Sequence, residues 1–569
     1  MKPIRYHALI TDYDGTLTCD EKMSATTLSA LYRIKYGGRK LILATGRRME
    51  EIKSCIPEYQ LFDRIVAENG ALIFSPETAE IHLLGEQPPI AFIEYLQQKG
   101  VPLALGQIII GAWEPHQNLI LEAIKLFGLE HQVIFNKGAV MILPPGVNKA
   151  SGVQHALKSL NLSYHNAVVV GDAENDCSMF MAVECAIAVQ NALAHVKDIA
   201  DWITELPAGQ GVGHLISRLV DDDLASLDPL LSRHFLPIGI KADGDAFEIS
   251  PFCTNLLLAG SSGCGKTTLG AAFLEALTAK EYQYCLVDPE GDYNEISGAL
   301  TLGTGNEAPS IDQALHLLAK PEENVVLCIV AVPLEDRPSY FKKLMSGLTA
   351  LRHRTGHPHF IILDEAHHLV PKQSSFRFNE VYPELDNFFA ITTTPELLDD
   401  EVLRRVNIAM IMGNSPSPKL SYITQQTCEQ LKIPEDMFLE NEQVLVWEKE
   451  SNDTLVFKTA KPRKLLMRHK KKYAVGEMGQ NSFYFKGPLS KLNLKANNLM
   501  AFIQIAKGID DDTWQYHRYR HDYSTWFRLS VKDQDLAALC ETVENSEATA
   551  YDSRKKIFKN ILDRYTLPA

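Results

Sequence analysis

Two carboxylates stand two residues apart in Asp12-Tyr13-Asp14-Gly15-Thr16, directly after the apolar stretch at residues 7–11. At the carboxyl end of a strand, where open α/β sheets bind their ligands, both can point into one site. One carboxylate can attack phosphorus as a nucleophile, and the other can protonate a leaving oxygen and later activate water. A phosphate dianion is repelled by such a pair, so the chemistry needs Mg2+ and a cationic side chain. Further along the chain are suitable residues. Thr45, in Ala44-Thr45-Gly46-Arg47, can donate a hydrogen bond to phosphate, and Lys149 opens a helix and can neutralise charge. Gly171-Asp172-Ala173-Glu174-Asn175-Asp176 follows another strand and offers Asp172 and Asp176 to a metal.

A second constellation lies in the middle of the chain. Gly260-Ser261-Ser262-Gly263-Cys264-Gly265-Lys266-Thr267, followed by Thr268, fits G-x-x-x-x-G-K-[ST] between an apolar strand and a helix. Its glycines let backbone N–H groups wrap a triphosphate, Lys266 reaches the β and γ oxygens, and Thr267 ligates Mg2+. The helix N-terminus adds favourable charge. Phe360–Leu363 reads as the partner strand, with Asp364 placed to hold Mg2+ and Glu365 to orient an attacking water. That acidic pair favours hydrolysis of a nucleotide over transfer of its phosphate to a second substrate.

These residues need two α/β sheets to position them. In the first part, strands alternate with helices, which implies a parallel sheet. This part is expected at residues 1–220, as a core of 1–82 and 144–220 interrupted by a small α/β insertion at about 83–143. The insertion contains two helix-then-strand units. Residues 221–236, opening near Asp221-Asp222-Asp223, read as a linker. The second α/β part is expected at 237–460, a basic linker rich in Lys and Arg at 461–477, and a helix-rich region with Trp514 and Trp526 at 478–569. The aromatics of that last region read as core rather than as a stacking platform for bases.

With 569 residues the chain exceeds one ordinary core. A net charge of -15 disfavours a generally basic nucleic-acid surface, though a local basic channel is compatible with it. The ten cysteines form no C-x-x-C pair or zinc-like cluster, which fits free thiols in a reducing cytoplasm. No signal peptide and no membrane span are expected.

The first set of motifs resembles the haloacid dehalogenase superfamily. Its order and spacing, with NKASG around Lys149 and GDAENDCSMF from Gly171, are similar to the Cof and sucrose-phosphatase branch, type IIB. The resemblance implies a Rossmann-like core in which Asp12 forms an aspartyl-phosphate and Asp14 is the acid/base. Asp172 and Asp176 then bind or orient Mg2+, helped by Asp12 and the Asp14 carbonyl. The insertion corresponds to that family's substrate-selecting cap, and Glu68-Asn69-Gly70-Ala71 is expected to shape a turn. DPEGDY from Asp288 and DEAHHLVP from Asp364 resemble the HerA/FtsK branch of ring ATPases, with a RecA-like P-loop fold. In that branch the strand after the acidic pair usually ends in a polar sensor, often Gln. Here Thr392-Thr393-Thr394-Pro395 stands there, with Thr393 nearest the position. Arg404 and Arg405 are candidates for a finger reaching a neighbouring subunit, with Arg352 and Arg354 as alternatives and surface ion pairs as the competing reading. His367 and His368 are expected at a helix start rather than on zinc.

The leading expectation is an Mg2+-dependent phosphomonoesterase acting on a phosphorylated small molecule, coupled to an ATP-hydrolysing motor or switch. That motor is expected to be a homo-oligomeric ring, with a hexamer one option. Two alternatives stand beside it. One is a nucleic-acid end-processing phosphatase with a DNA-translocating ATPase. The other is a sugar-phosphate phosphatase with an ATP-gated regulatory or scaffold domain.

Overall fold

The structure is a computed structural model of the chain. It describes residues 4–18, 22–136, 138–293, 296–372, 385–427, 437–440, 442–459, 482–488, 491–531 and 533–565. The chain divides into two compact units. One comprises Met1–Gly291 with Gly298–Ala460, the other Asp292–Ser297 with Lys461–Ala569.

The first unit contains two large sheets and a small one. The first sheet is built from β1 (Ala8–Thr11), β2 (Lys40–Ala44), β3 (Arg64–Ala67), β4 (Leu72–Ser75) and β5 (Glu80–Leu83). After the insertion, which carries β6 (Ala104–Leu105), β7 (Ile110–Trp113), β8 (Gln132–Asn136) and β9 (Ala139–Leu143), it resumes with β10 (Ala167–Gly171), β11 (Cys185–Ala188) and β12 (Trp202–Ile203). Their order is β12-β11-β10-β1-β2-β3-β4-β5. Pairing is parallel from β12 to β3, and β4 and β5 add antiparallel. The central strands are almost continuous apolar runs, because helices cover both faces of such a sheet. Thr11 lies opposite Val170, so the residues that follow β1 and β10 emerge side by side.

The insertion folds as a separate layer. The helices Ile90–Gln98 and Gln117–Leu126 are each followed by two strands: β6 (Ala104–Leu105) and β7 (Ile110–Trp113), then β8 (Gln132–Asn136) and β9 (Ala139–Leu143). These form an antiparallel sheet in the order β6-β7-β9-β8. Phe92, Leu96, Ile110, Ile120, Val140 and Ile142 give it its own core.

The stretch after Asp221 is not a solvated linker. Leu224, Leu227 and Leu231 are buried in the core of the first sheet. Arg233 bonds Asp201 and the carbonyls of Phe180, Val183 and Glu184. Even the acidic run is engaged, with Asp223 Oδ1 2.8 Å from Arg39. Burial of these leucines outweighs the local charge.

The second sheet comprises β13 (Leu236–Lys241), β14 (Ala246–Ile249), β15 (Leu256–Gly260), β16 (Tyr284–Asp288), β17 (Ala299–Leu302) and β18 (Asn324–Cys328). It continues with β19 (Phe360–Leu363), β20 (Phe388–Thr392), β21 (Ile408–Met412), β22 (Gln443–Glu448) and β23 (Asp453–Thr459). The order is β14-β13-β23-β22-β21-β15-β20-β19-β16-β18-β17. Pairing is parallel from β21 to β17 and antiparallel at the other end. β20 therefore lies between β15, which leads into the glycine-rich loop, and β19, which leads into Asp364.

The second unit contains the β24–β25 pair (Phe483–Phe485 with Leu494–Ala496) and the helices Leu499–Gly508, Asp511–Tyr519, Asp522–Leu529, Gln534–Glu544 and Ala550–Tyr565. Phe483, Phe502, Trp514, Tyr523, Trp526 and Phe527 are its core, and Trp514 Nε1 donates to Ser553 Oγ at 2.9 Å. These rings fill the interior, not a stacking surface. The basic run at 461–472 lies outside the described residues. Among the described residues, no helix is long and apolar enough to cross a membrane.

Candidate active sites

At the carboxyl ends of β1 and β10 the side chains of Asp12, Asp172 and Asp176 converge. One oxygen of each lies within 4.8 Å of the others, and all three residues are buried. Lys149 reaches them from the first turn of the helix Lys149–Ser159, with Nζ 2.6 Å from Asp12 and 2.6 Å from Asp176. Asn148 caps that helix, accepting from the Ser151 N–H at 3.0 Å, and so sets where Lys149 begins. Asp176 Oδ2 accepts the N–H groups of Asp172 and Ala173 at 2.9 and 3.0 Å, which fixes the loop after β10. Thr16 Oγ1 donates to Asp172 Oδ1 at 3.2 Å. Gly15 packs so closely that a Cβ would stand 2.3 Å from Asp172 Oδ2, and its φ of +87° suits glycine.

Three buried carboxylates converge around the Lys149 ammonium. Burial pushes the Asp12 carboxyl up to about 7, against the pull of Lys149. Burial disfavours the Lys149 ammonium too, but Asp12 and Asp176 more than offset it and hold the amine charged. An all-oxygen set of three buried carboxylates fits a hard divalent cation. Thr45 follows β2, which flanks β1 on the other side. Asp14 turns outward, its side chain half exposed, and is gripped by Arg47 through Nε at 2.7 Å and a terminal nitrogen at 2.6 Å. Arg47 closes the threonine motif, and its spacing alone announces no partner.

The turn at Glu68–Gly70 does more than reverse the chain. The Glu68 carboxylate is fully buried and accepts three insertion amides: Gln107 at 2.8 Å, Ile108 at 2.9 Å and Ile109 at 3.0 Å. It ties the loop between β6 and β7 to the core beside the carboxylates. Gly106 leaves room for it, since a Cβ there would stand 2.7 Å from the carboxylate. Asn69 Oδ1 accepts from Asn175 at 3.0 Å, joining this turn to the loop after β10.

In the second sheet, β15 runs into the glycine-rich loop and the helix Lys266–Ala279. Gly263 and Gly265 have φ of +80° and +106°, the backbone values that let such a loop curl. Lys266 Nζ rests 3.1 Å from the Ser261 carbonyl. Asp364 and Glu365 follow β19, and Glu365 has φ of +40°, rare for a residue with a side chain. Burial raises the Glu365 carboxyl above the usual range, with Lys266 pulling the other way. Thr393 Oγ1 is 3.5 Å from Glu365 Oε2, so the threonine after β20 meets the acidic pair. His367 and His368 fall in a short 3-10 turn, and His367 Nδ1 contacts Thr392 Oγ1 at 3.0 Å. Lys419 Nζ donates to the Thr393 carbonyl at 2.6 Å and is a further cation here, with no spacing rule to announce it.

The arginine candidates separate. Arg404 pairs with Glu401 on its own helix, and Arg405 donates to the Leu385 carbonyl at 3.2 Å. Arg352 is a correction. Its guanidinium bonds the carbonyls of Pro358, Asp386 and His359 at 2.8, 2.7 and 3.2 Å, so it clamps its own fold and does not reach outward. Arg354 is exposed.

Comparison with known proteins follows these two sites. A family described as haloacid dehalogenase-like hydrolase matches residues 9–110 and 116–216. A phosphoglycolate phosphatase from Haloarcula marismortui is 30% identical over 214 residues, covering 36% of this chain and 92% of the relative. The chain belongs to the haloacid dehalogenase-like hydrolases. A phosphoglycolate phosphatase from Methanothermobacter thermautotrophicus is 26% identical over 224 residues, 37% of this chain and 98% of its own length. Among solved structures, a haloacid dehalogenase-like hydrolase from Bacteroides thetaiotaomicron is 22% identical. It covers 38% of this chain and 99% of its own, with a TM-score of 0.34. Residues 253–399 match a family described as AAA domain. The chain thus joins a haloacid dehalogenase-type phosphatase to an AAA-type P-loop ATPase domain.

Proposed function

We propose that the phosphatase half is an Mg2+-dependent phosphomonoesterase working through an aspartyl-phosphate on Asp12, and that its rate responds to the nucleotide state of the ATPase half. The observation that carries the first part is the convergence of Asp12, Asp172 and Asp176 with Lys149 at the ends of β1 and β10. Asp12, Asp172 and Asp176, with the Asp14 carbonyl, would hold Mg2+, which supplies positive charge against the phosphoryl oxygens. Asp12 attacks phosphorus, the bond to the leaving oxygen breaks, and Asp14 gives that oxygen its proton. Asp14 then takes a proton from water as the water attacks the aspartyl-phosphate, which frees Asp12 and inorganic phosphate. Lys149 keeps Asp12 oriented, and Thr45 donates to a phosphoryl oxygen. Asp14 has to leave Arg47 to serve, so Arg47 sets the resting position of the acid. Small acid phosphates of the phosphoglycolate type are the first substrates to test, given the relatives' activity.

In the ATPase half the loop Gly260–Thr268 would cradle ATP, Thr267 and Asp364 would hold its Mg2+, and Glu365 would align water. Thr393 would report on Glu365, and a homo-oligomeric ring, with Arg404 or Arg405 reaching a neighbour, is the assembly of this reading.

Support for coupling comes from the junction inside the first unit. Asn166, which precedes β10, donates to the Gly356 carbonyl at 3.3 Å, and Gly356 precedes β19. His357 Nε2 contacts the Asn161 carbonyl at 3.0 Å, and the Tyr282 hydroxyl donates to Glu184 at 2.8 Å. β10 and β19 therefore start at one shared seam and end at Asp172 and Asp364. The test is a phosphomonoester panel containing phosphoglycolate and sugar phosphates, run with Mg2+ and with or without ATP and DNA. No turnover of any member, with Asp12→Asn indistinguishable from the parent, would sink the phosphatase reading. Identical kinetics with ATP, ADP and Lys266→Ala would exclude the coupling.

A further inference from the structure

Away from both phosphate sites, a second group of metal-ligating side chains converges at the seam. His165 comes from the turn Tyr164–Asn166, Glu184 from the residue before β11, and His234 from the turn Ser232–His234. One donor atom of each lies within 4.8 Å of the others, and all three residues are buried. The three positions are far apart in sequence and match no metal-binding spacing.

The hydrogen bonding around this group is incomplete. His165 Nε2 lies 2.7 Å from the Lys280 carbonyl, a contact that uses a ring N–H. His165 Nδ1 faces Glu184 Oε2, a second acceptor. A neutral imidazole carries one N–H, so this ring needs either a second proton or a cation between Nδ1 and the carboxylate. His234 is 8% exposed, its Nδ1 is 3.9 Å from Glu184 Oε2, and its Nε2 has no partner. A buried ring nitrogen without a partner, as Nε2 is, is costly, and Nδ1, the nitrogen turned towards the carboxylate, is the one a metal would use.

The surroundings suit an ion. A ligating histidine commonly donates its other N–H to a carbonyl, as His165 does to Lys280, and ligating carboxylates are themselves hydrogen-bonded. Here the Tyr282 hydroxyl donates to both Glu184 oxygens, at 2.8 and 3.0 Å. Arg5 is a positive charge acting on Glu184, but it is paired with Asp228 at 2.6 Å. Two imidazoles and one carboxylate are a donor set for Zn2+ and its borderline neighbours, whereas Mg2+ prefers oxygen alone.

We infer that His165, Glu184 and His234 form a binding site for a borderline divalent metal ion of the Zn2+ class, distinct from the all-carboxylate site at Asp12. The ion pins the turn carrying His234 to the phosphatase core, directly beneath Lys280 and Tyr282 of the ATPase part. It is a structural clip at the seam, and it stands whether or not the two activities are coupled.

The test uses the full chain expressed with supplementary zinc, passed through metal-free buffer and measured for bound metal by mass spectrometry. Stoichiometric zinc is expected in the parent and in an Asp12→Asn/Asp172→Asn variant, and its loss in His234→Gln. Independently, Co2+ added to the metal-stripped parent should give the visible bands of a low-coordinate nitrogen–oxygen site. That reading needs no variant to fold. Zinc lost with the aspartate substitutions, or fully retained in His234→Gln, would overturn the assignment. So would a parent that holds no zinc and gives no Co2+ bands; His165 and Glu184 would then be a buried imidazolium–carboxylate pair.

Discussion

Replacing Glu68 by Gln changes one oxygen to an NH2 group at a buried position where three backbone N–H groups donate to the carboxylate. In the parent, the carboxylate takes the N–H groups of Gln107, Ile108 and Ile109 at 2.8, 2.9 and 3.0 Å. An amide has one acceptor atom, so the NH2 of the variant must face an N–H, and the remaining bonds lose their charge. An unsatisfied buried polar group costs ~1–3 kcal/mol, and a charge-assisted hydrogen bond exceeds a neutral one by about 1 kcal/mol. With two bonds remaining, these together weaken attachment of the β6–β7 loop by roughly 3–5 kcal/mol. If the phosphatase transition state needs the loop in place, kcat/KM falls about 150- to 5000-fold at ~1.36 kcal/mol per decade. The assay pairs phosphatase kinetics with hydrogen exchange at the amides of Gln107–Ile109, and ATP hydrolysis by the same variant is the control. A kcat/KM within about twofold of the parent, with those amides still protected, would refute the reasoning.

Other substitutions separate the proposed roles. Gly15→Ala places a Cβ 2.3 Å from Asp172 Oδ2 at φ +87° and should abolish phosphomonoester turnover while ATP hydrolysis survives; substantial phosphatase activity would show that the loop tolerates the shift. Glu365→Gln should lower ATP hydrolysis by roughly 10²–10⁴-fold and leave nucleotide binding intact, as measured by turnover and by equilibrium titration. Because burial raises the Glu365 carboxyl and the charged form does the work, ATP hydrolysis should decline with falling pH earlier than an exposed glutamate would dictate. The Glu365→Gln variant should lack that limb. Arg352→Ala removes a clamp on four carbonyls, that of Asn387 included, and should lower the unfolding temperature, with ATP hydrolysis per folded molecule nearly unchanged; a selective catalytic loss would restore it as a finger.

The placement of the candidate residues was legible because they sit at strand and helix ends. Asp12, Thr45, Lys149 and Asp172 each directly follow or open an element whose apolar pattern is visible. Parallel pairing then brings those ends together without further information. The glycine-rich loop is legible for the same reason. Contacts between a side chain and a distant backbone left no such mark. Glu68 meets amides nearly forty residues away, and Arg352 and Lys419 meet carbonyls. Any residue type supplies a backbone group, so those partners have no sequence signature. The stretch 221–236 reads as a linker, yet Leu224, Leu227 and Leu231 within it are core. Their spacing of three and four residues is that of a helix face, but the run is short and folds as 3-10 turns.

The most direct measurement compares both activities in Asp12→Asn and Lys266→Ala on the full chain with Mg2+. Asp12→Asn should lose phosphomonoester turnover and keep ATP hydrolysis. Lys266→Ala should lose ATP hydrolysis and keep a phosphatase whose rate no longer responds to ATP. Phosphomonoester turnover surviving in Asp12→Asn, or both activities vanishing together in a folded single variant, would contradict two phosphate sites with separate chemistry on one chain.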